Sequence, residues 1–68
     1  MAIKVLKRGA GYGKNCITEF LVDTEADVAN LPTNESVGTV GKMCAPGSTA
    51  LIAETKAIVI LNNQGAWV

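Results

Sequence analysis

The residues of this 68-residue chain whose types and spacing could do chemistry are few: two cysteines, Cys16 and Cys44, a run of carboxylates at Asp23, Glu25 and Asp27, and a glycine-spaced loop from Gly9 to Lys14. Histidine is absent. Two thiols alone cannot complete a four-ligand metal site, so the chain is expected to bind no metal and to need no cofactor. Three readings of the cysteines stay open. They are a buried reduced pair, a bridge within one chain closing a loop of about 28 residues and contributing on the order of 3–4 kcal/mol, or a bridge between chains.

The glycine loop invites a phosphate-binding reading, and its context rejects it. A P-loop places Lys-Ser/Thr at a fixed offset, whereas Asn15 follows Lys14 here. A dinucleotide fingerprint opens a helix, whereas the residues after Cys16 alternate like a strand. A flexible surface loop is the expectation. The three carboxylates follow one another at a helix start, where the helix dipole and the capping positions favour negative charge, so capping accounts for each of them. Nothing else in the chain offers a nucleophile beside a base, and the chain is expected not to be an enzyme.

These residues must be positioned by a small number of elements. Residues 2–8 alternate imperfectly, with Ile3 and Val5 on one face and Lys4 and Leu6 on the other, which predicts a half-exposed strand. Residues 16–22 form a second strand whose Thr18, Phe20 and Val22 face is the better core face. A short helix over about residues 24–31 is capped by Asp23 or Thr24, packs through Val28 and Leu31, and stops at Pro32. Residues 33–44 read as a variable loop with Gly38 and Gly41. The last third, 45–68, opens at Pro46-Gly47 and carries aliphatic runs over 50–53 and 57–61, broken at Glu54-Thr55-Lys56 and again at Asn62-Asn63-Gln64-Gly65. Two strands and a short third one bearing Trp67 follow from this punctuation. The expected fold is mainly β, a small antiparallel sheet or barrel-like meander with one short helix, in a single domain. Its parts are a basic arm and glycine loop (1–15), a strand plus helix (16–32), the variable loop (33–44) and the meander (45–68).

Composition limits what such a domain can do alone. Apolar residues make up 49% of the chain, yet only Tyr12, Phe20 and Trp67 are aromatic. At this size a private core barely offsets the ordering entropy. Some aliphatic surface is therefore expected to be buried between copies, with Phe20, Leu51, Ile58, Ile60 and Trp67 as core and oligomer anchors. No run reaches the roughly 18 apolar residues of a membrane span, and the charges among the first apolar residues do not make a signal peptide, so the chain is expected to stay in the cytoplasm or to leave by lysis. Net charge is zero but uneven, +4 over residues 1–14 from Lys4, Lys7, Arg8 and Lys14 and −5 over residues 15–35. That asymmetry suits contact between copies or docking of a basic arm on an acidic surface. A nucleic-acid-binding module would use the same basic residues with Tyr12, but zero net charge and a lone aromatic among them argue against it.

The order of landmarks, Phe20-Leu-Val-Asp-Thr-Glu-Ala-Asp-Val-Ala-Asn-Leu-Pro32, then Ala45-Pro-Gly-Ser-Thr-Ala50, then Glu54-Thr-Lys56 and Ile58-Val-Ile-Leu-Asn-Asn-Gln-Gly-Ala-Trp67, resembles a small module of tailed-bacteriophage virion proteins of the capsid-decoration and head-fibre-associated type. The resemblance covers about residues 17–68. It implies a structural role, a homotrimer or other symmetric assembly, location in the virion after assembly in the host cytoplasm, and the major capsid protein or other virion proteins as partners. With no room for a stalk and tip, the chain is expected to be a decoration or cement subunit. A head-fibre, neck or tail-associated subunit is the alternative. In this setting Lys4, Lys7, Arg8 and Lys14 would contact the shell, and Cys16 and Cys44 could cross-link the assembly.

Overall fold

The computed structural model describes residues 3–9 and 15–68. Four strands, β1 (Ile3–Arg8), β2 (Thr18–Val22), β3 (Thr49–Ile52) and β4 (Ala57–Ile60), form one sheet in that order, with a short 3-10 helix (Glu25–Asn30) between β2 and β3. Strands β1 and β2 are antiparallel, and so are β3 and β4. The central pair, β2 and β3, is parallel. This corrects the expected all-antiparallel meander: the sheet is mixed and open, with β1 and β4 at its edges. The physical reason lies in the connection. Residues 23–48 are long enough to carry the chain from one end of the sheet back to the other, which a parallel pair requires and a hairpin does not.

The alternation in β2 is as its sequence dictates, with Thr18, Phe20 and Val22 buried and Glu19 exposed. Its register sets Phe20 against Val5 and Ala50, and Val22 against Ile3 and Ile52. These side chains, with Leu31, Cys44 and Leu61, make the core, and Val28, Val59 and Trp67 close over it. Trp67 is fixed from two sides. Its Nε1–H donates to the Pro32 carbonyl at 3.0 Å, and its ring stands edge-on to Phe20 with centroids 6.0 Å apart. In β1 the register slips between Val5 and Lys7, so Leu6 is an extra residue at a bulge. The bulge returns Lys7 to the outer face opposite Glu19 and turns Arg8 inward, where its guanidinium donates to the Met43 carbonyl at 3.3 Å.

The helix is shorter and tighter than the predicted 24–31, and of the two candidate caps, Asp23 and Thr24, it is Thr24 that caps it. Thr24 donates through both its backbone N–H and its hydroxyl to the Asp27 carboxylate, each at 3.1 Å. Leu31 and Pro32 are buried beyond the helix end. The long loop then folds back on that end: Thr39 N–H donates to the Asn30 carbonyl at 3.0 Å. Gly38 permits this with φ +55, since a Cβ there would come within 2.5 Å of the Asn30 carbonyl oxygen.

The start of β3 is tied to the start of β2 by a buried polar pair. Ser48 Oγ accepts from Thr18 N–H at 3.0 Å and donates to the Ala45 carbonyl at 2.7 Å. Both residues are fully buried, and without the Ser48 hydroxyl the Thr18 N–H would be left unmet. Beyond β4, the Asn62 side chain accepts from the N–H groups of Gln64 and Ala66, both at 2.9 Å. This turn brings Trp67 back beside Leu61 as an isolated bridge, while Val68 and Ile60 exchange backbone hydrogen bonds at 2.9 and 3.0 Å.

Candidate functional site

Because side chains alternate along a strand, the residues of β3 and β4 that do not enter the core must share the opposite face. The register places Leu51 beside Ile58 on one side and Leu21 on the other, and Ile60 beside Thr49. The reciprocal hydrogen bonds of Ile60 and Val68 add Val68 to the same face. The result is a continuous aliphatic strip open to solvent, with Leu51 38%, Ile58 64%, Ile60 48% and Val68 69% exposed. At the bulge on the opposite edge Leu6 is exposed as well. The five predicted anchors thus separate by face. Phe20 and Trp67 belong to the subunit's own core, whereas Leu51, Ile58 and Ile60 lie on the outer strip.

Lys4 sits across from Leu21 and Lys7 across from Glu19, so the outer face runs from charged side chains at β1 to purely aliphatic ones at β4. Residues 3–8 are an integral edge strand rather than a free basic arm. Arg8 is withdrawn from any basic patch by its inward turn. Lys14 and Tyr12 lie outside the described residues.

The opposite face of the sheet carries a shallow open groove of about 410 Å³ between the helix and β4, floored by Val28, Ile52, Val59 and Trp67 and rimmed by Glu25 and Thr55. Among the described residues no three histidine, cysteine or acidic side chains gather as a metal site, and no helix is long and apolar enough to cross a membrane.

Cys16 and Cys44 are both free thiols and both buried, at 3% and 0% exposure. The bridge that the sequence allows within one chain is not formed in this structure, and both sulfurs lie beneath the subunit's own surface. Cys16 Sγ donates to the Gly9 carbonyl at 3.1 Å and Cys44 Sγ to the Pro32 carbonyl at 3.5 Å. Burial pushes the Cys44 thiol up, the neighbouring Ser48 hydroxyl and Arg8 guanidinium pull it partly back, and the nearness of Cys16 adds to the rise. Sequence reading missed the Thr18–Ser48 pair and left open whether the two cysteines lie together. Ser48 follows the Pro46-Gly47 turn like any solvated turn residue, and only the parallel pairing of β2 with β3 shows that it is buried.

Scans against protein-family models, curated proteins and solved structures match nothing.

Proposed function

We propose that this chain is a structural subunit that works by assembly: copies pack through the outer face of β3 and β4, and the assembly seats on the head of a tailed-phage virion as a decoration or cement protein. The observation that carries the assembly half of this reading is the aliphatic strip of Leu51, Ile58, Ile60 and Val68. Exposed aliphatics scattered singly need no explanation, but four in register on one flat face do. The strip has no aromatic anchor and no deep pocket for a foreign side chain. Another sheet face of the same kind suits it, since two such faces interdigitate at about 10 Å. A net charge of zero imposes no long-range repulsion between copies.

The virion half rests on the resemblance of residues 17–68 to virion modules. A homotrimer is the assembly that resemblance implies, and Lys4 and Lys7, exposed at the β1 side of the same face, would meet an acidic shell. The test is cosedimentation with heads of the phage that encodes the chain, wild type against the double variant Ile58→Lys/Ile60→Lys. Both substitutions are at exposed positions and leave the core intact. Saturable binding by the wild type and its loss in the folded variant are expected. A wild-type protein that never pellets with heads would refute the virion assignment.

A further inference from the structure

The two buried thiols lie closer together than the 27 residues between them suggest. Ala45 N–H donates to the Cys16 carbonyl at 2.9 Å. In a trans peptide the preceding Cα lies on the same side as the N–H, so a near-linear bond puts the Cα of Cys44 beside that oxygen and the two Cα atoms on the order of 6 Å apart. That spacing is within the Cα range that disulfides show. Both side chains border the same polar pair: Thr18 Oγ1 lies 3.9 Å from Cys16 Sγ, and the Ser48 hydroxyl adjoins the Cys44 thiol. Each sulfur now donates to a carbonyl, of Gly9 or Pro32, that water or a local shift could satisfy instead.

From this geometry we infer that Cys16 and Cys44 are a latent intrachain disulfide, reduced in a reducing compartment and closed by thiol–disulfide exchange when the protein meets an oxidising one. The oxidant is a low-molecular-weight disulfide such as oxidised glutathione. One protein thiolate attacks a glutathione sulfur, breaking its S–S bond, forming a mixed disulfide and releasing one glutathione thiolate. The second protein thiolate then attacks the protein sulfur of the mixed disulfide and expels the other glutathione. Two protein thiols are oxidised, one oxidised glutathione is reduced to two thiols, and the two protons leave with them. Closure ties the entry to β2 to the entry to β3, across the crossover that no hairpin restrains. The bond acts on the subunit's own fold, and its presence or absence is independent of assembly through the outer strip.

The test incubates the full chain with oxidised glutathione in urea just below its unfolding transition, so that local opening exposes the thiols, followed by intact-mass analysis and alkylation after denaturation. The expected product is a single chain lighter by two hydrogens, resistant to alkylation, with a thermal midpoint raised by about 10 °C or more. Cys16→Ser and Cys44→Ser should each stop at the mixed disulfide and show no such rise. Two alkylatable thiols after equilibration, a persistent mixed disulfide on the wild type, or cross-linked dimers would each overturn the inference.

Discussion

At the scale of single residues, two side chains report on the core directly. Burial raises the Cys44 thiol, so the folded chain holds that proton more tightly than the unfolded one. The sign follows: the associated stability is fully present below the unfolded thiol's value of about 8.5 and is lost as pH rises through the folded value. Under reductant, the urea midpoint is expected to fall from about pH 8 to about pH 10 more steeply in the wild type than in Cys44→Ala, which is less stable but lacks this proton. Equal slopes would contradict the burial of the thiol. Trp67 makes the second case. Trp67→Phe keeps a ring against Phe20 and removes the indole donor from the Pro32 carbonyl, which keeps only the weak Cys44 thiol donor, at an expected cost of about 1 kcal/mol in urea unfolding, while Trp67→Ala costs about 3–5 kcal/mol. Because Trp67 points into its own subunit, both variants should associate normally wherever they remain folded. That separates Trp67 from the strip residues with which sequence reading grouped it.

At the scale of elements, the loop after the helix depends on one backbone position. Gly38 and Gly41 both have positive φ, but a Cβ on Gly38 would strike the backbone of Asn30, Leu31 and Pro32, whereas nothing lies within 4 Å of one on Gly41. Gly38→Ala should therefore destabilise by about 2 kcal/mol or more and Gly41→Ala by about 1 kcal/mol, measured by chemical denaturation. Similar costs at the two sites would mean that the loop does not fold back on the helix end. Much of the element plan is legible in the sequence. The period-two burial of Thr18, Phe20 and Val22, the Thr24–Asp27 cap and the Asn62 turn all follow from local rules, because local geometry satisfies them. What local rules do not carry is pairing across long separations. The parallel β2–β3 register depends on how residues 23–48 cross over, and the bulge at Leu6 depends on what Arg8 finds at Met43. The buried Thr18–Ser48 pair is a consequence of that register and was hidden with it, and the same register decides which of the open readings of the cysteines the fold favours.

At the scale of the whole molecule, a single sheet has one face to close with its own helix, loop and C-terminal turn, and the other face is left to water or to another molecule. Here the covered face holds Phe20, Val22, Ile52 and Leu61 and the open face holds Leu51, Ile58, Ile60 and Val68. An aliphatic excess was legible in composition; which residues form the strip was legible only once the register was known. Burying an isoleucine fully contributes about 1.5–3 kcal/mol, so replacing Ile58 and Ile60 by lysine should weaken association by 100-fold or more and leave the monomer's thermal midpoint nearly unchanged. The most direct measurement is sedimentation equilibrium of the wild type and the Ile58→Lys/Ile60→Lys variant over a wide concentration range under reductant. A reversible, concentration-dependent oligomer in the wild type, trimeric by the reading advanced above, and a folded monomer in the variant are predicted. A wild type that stays monomeric at the highest concentrations, or a variant that associates equally well, would contradict assembly through this face.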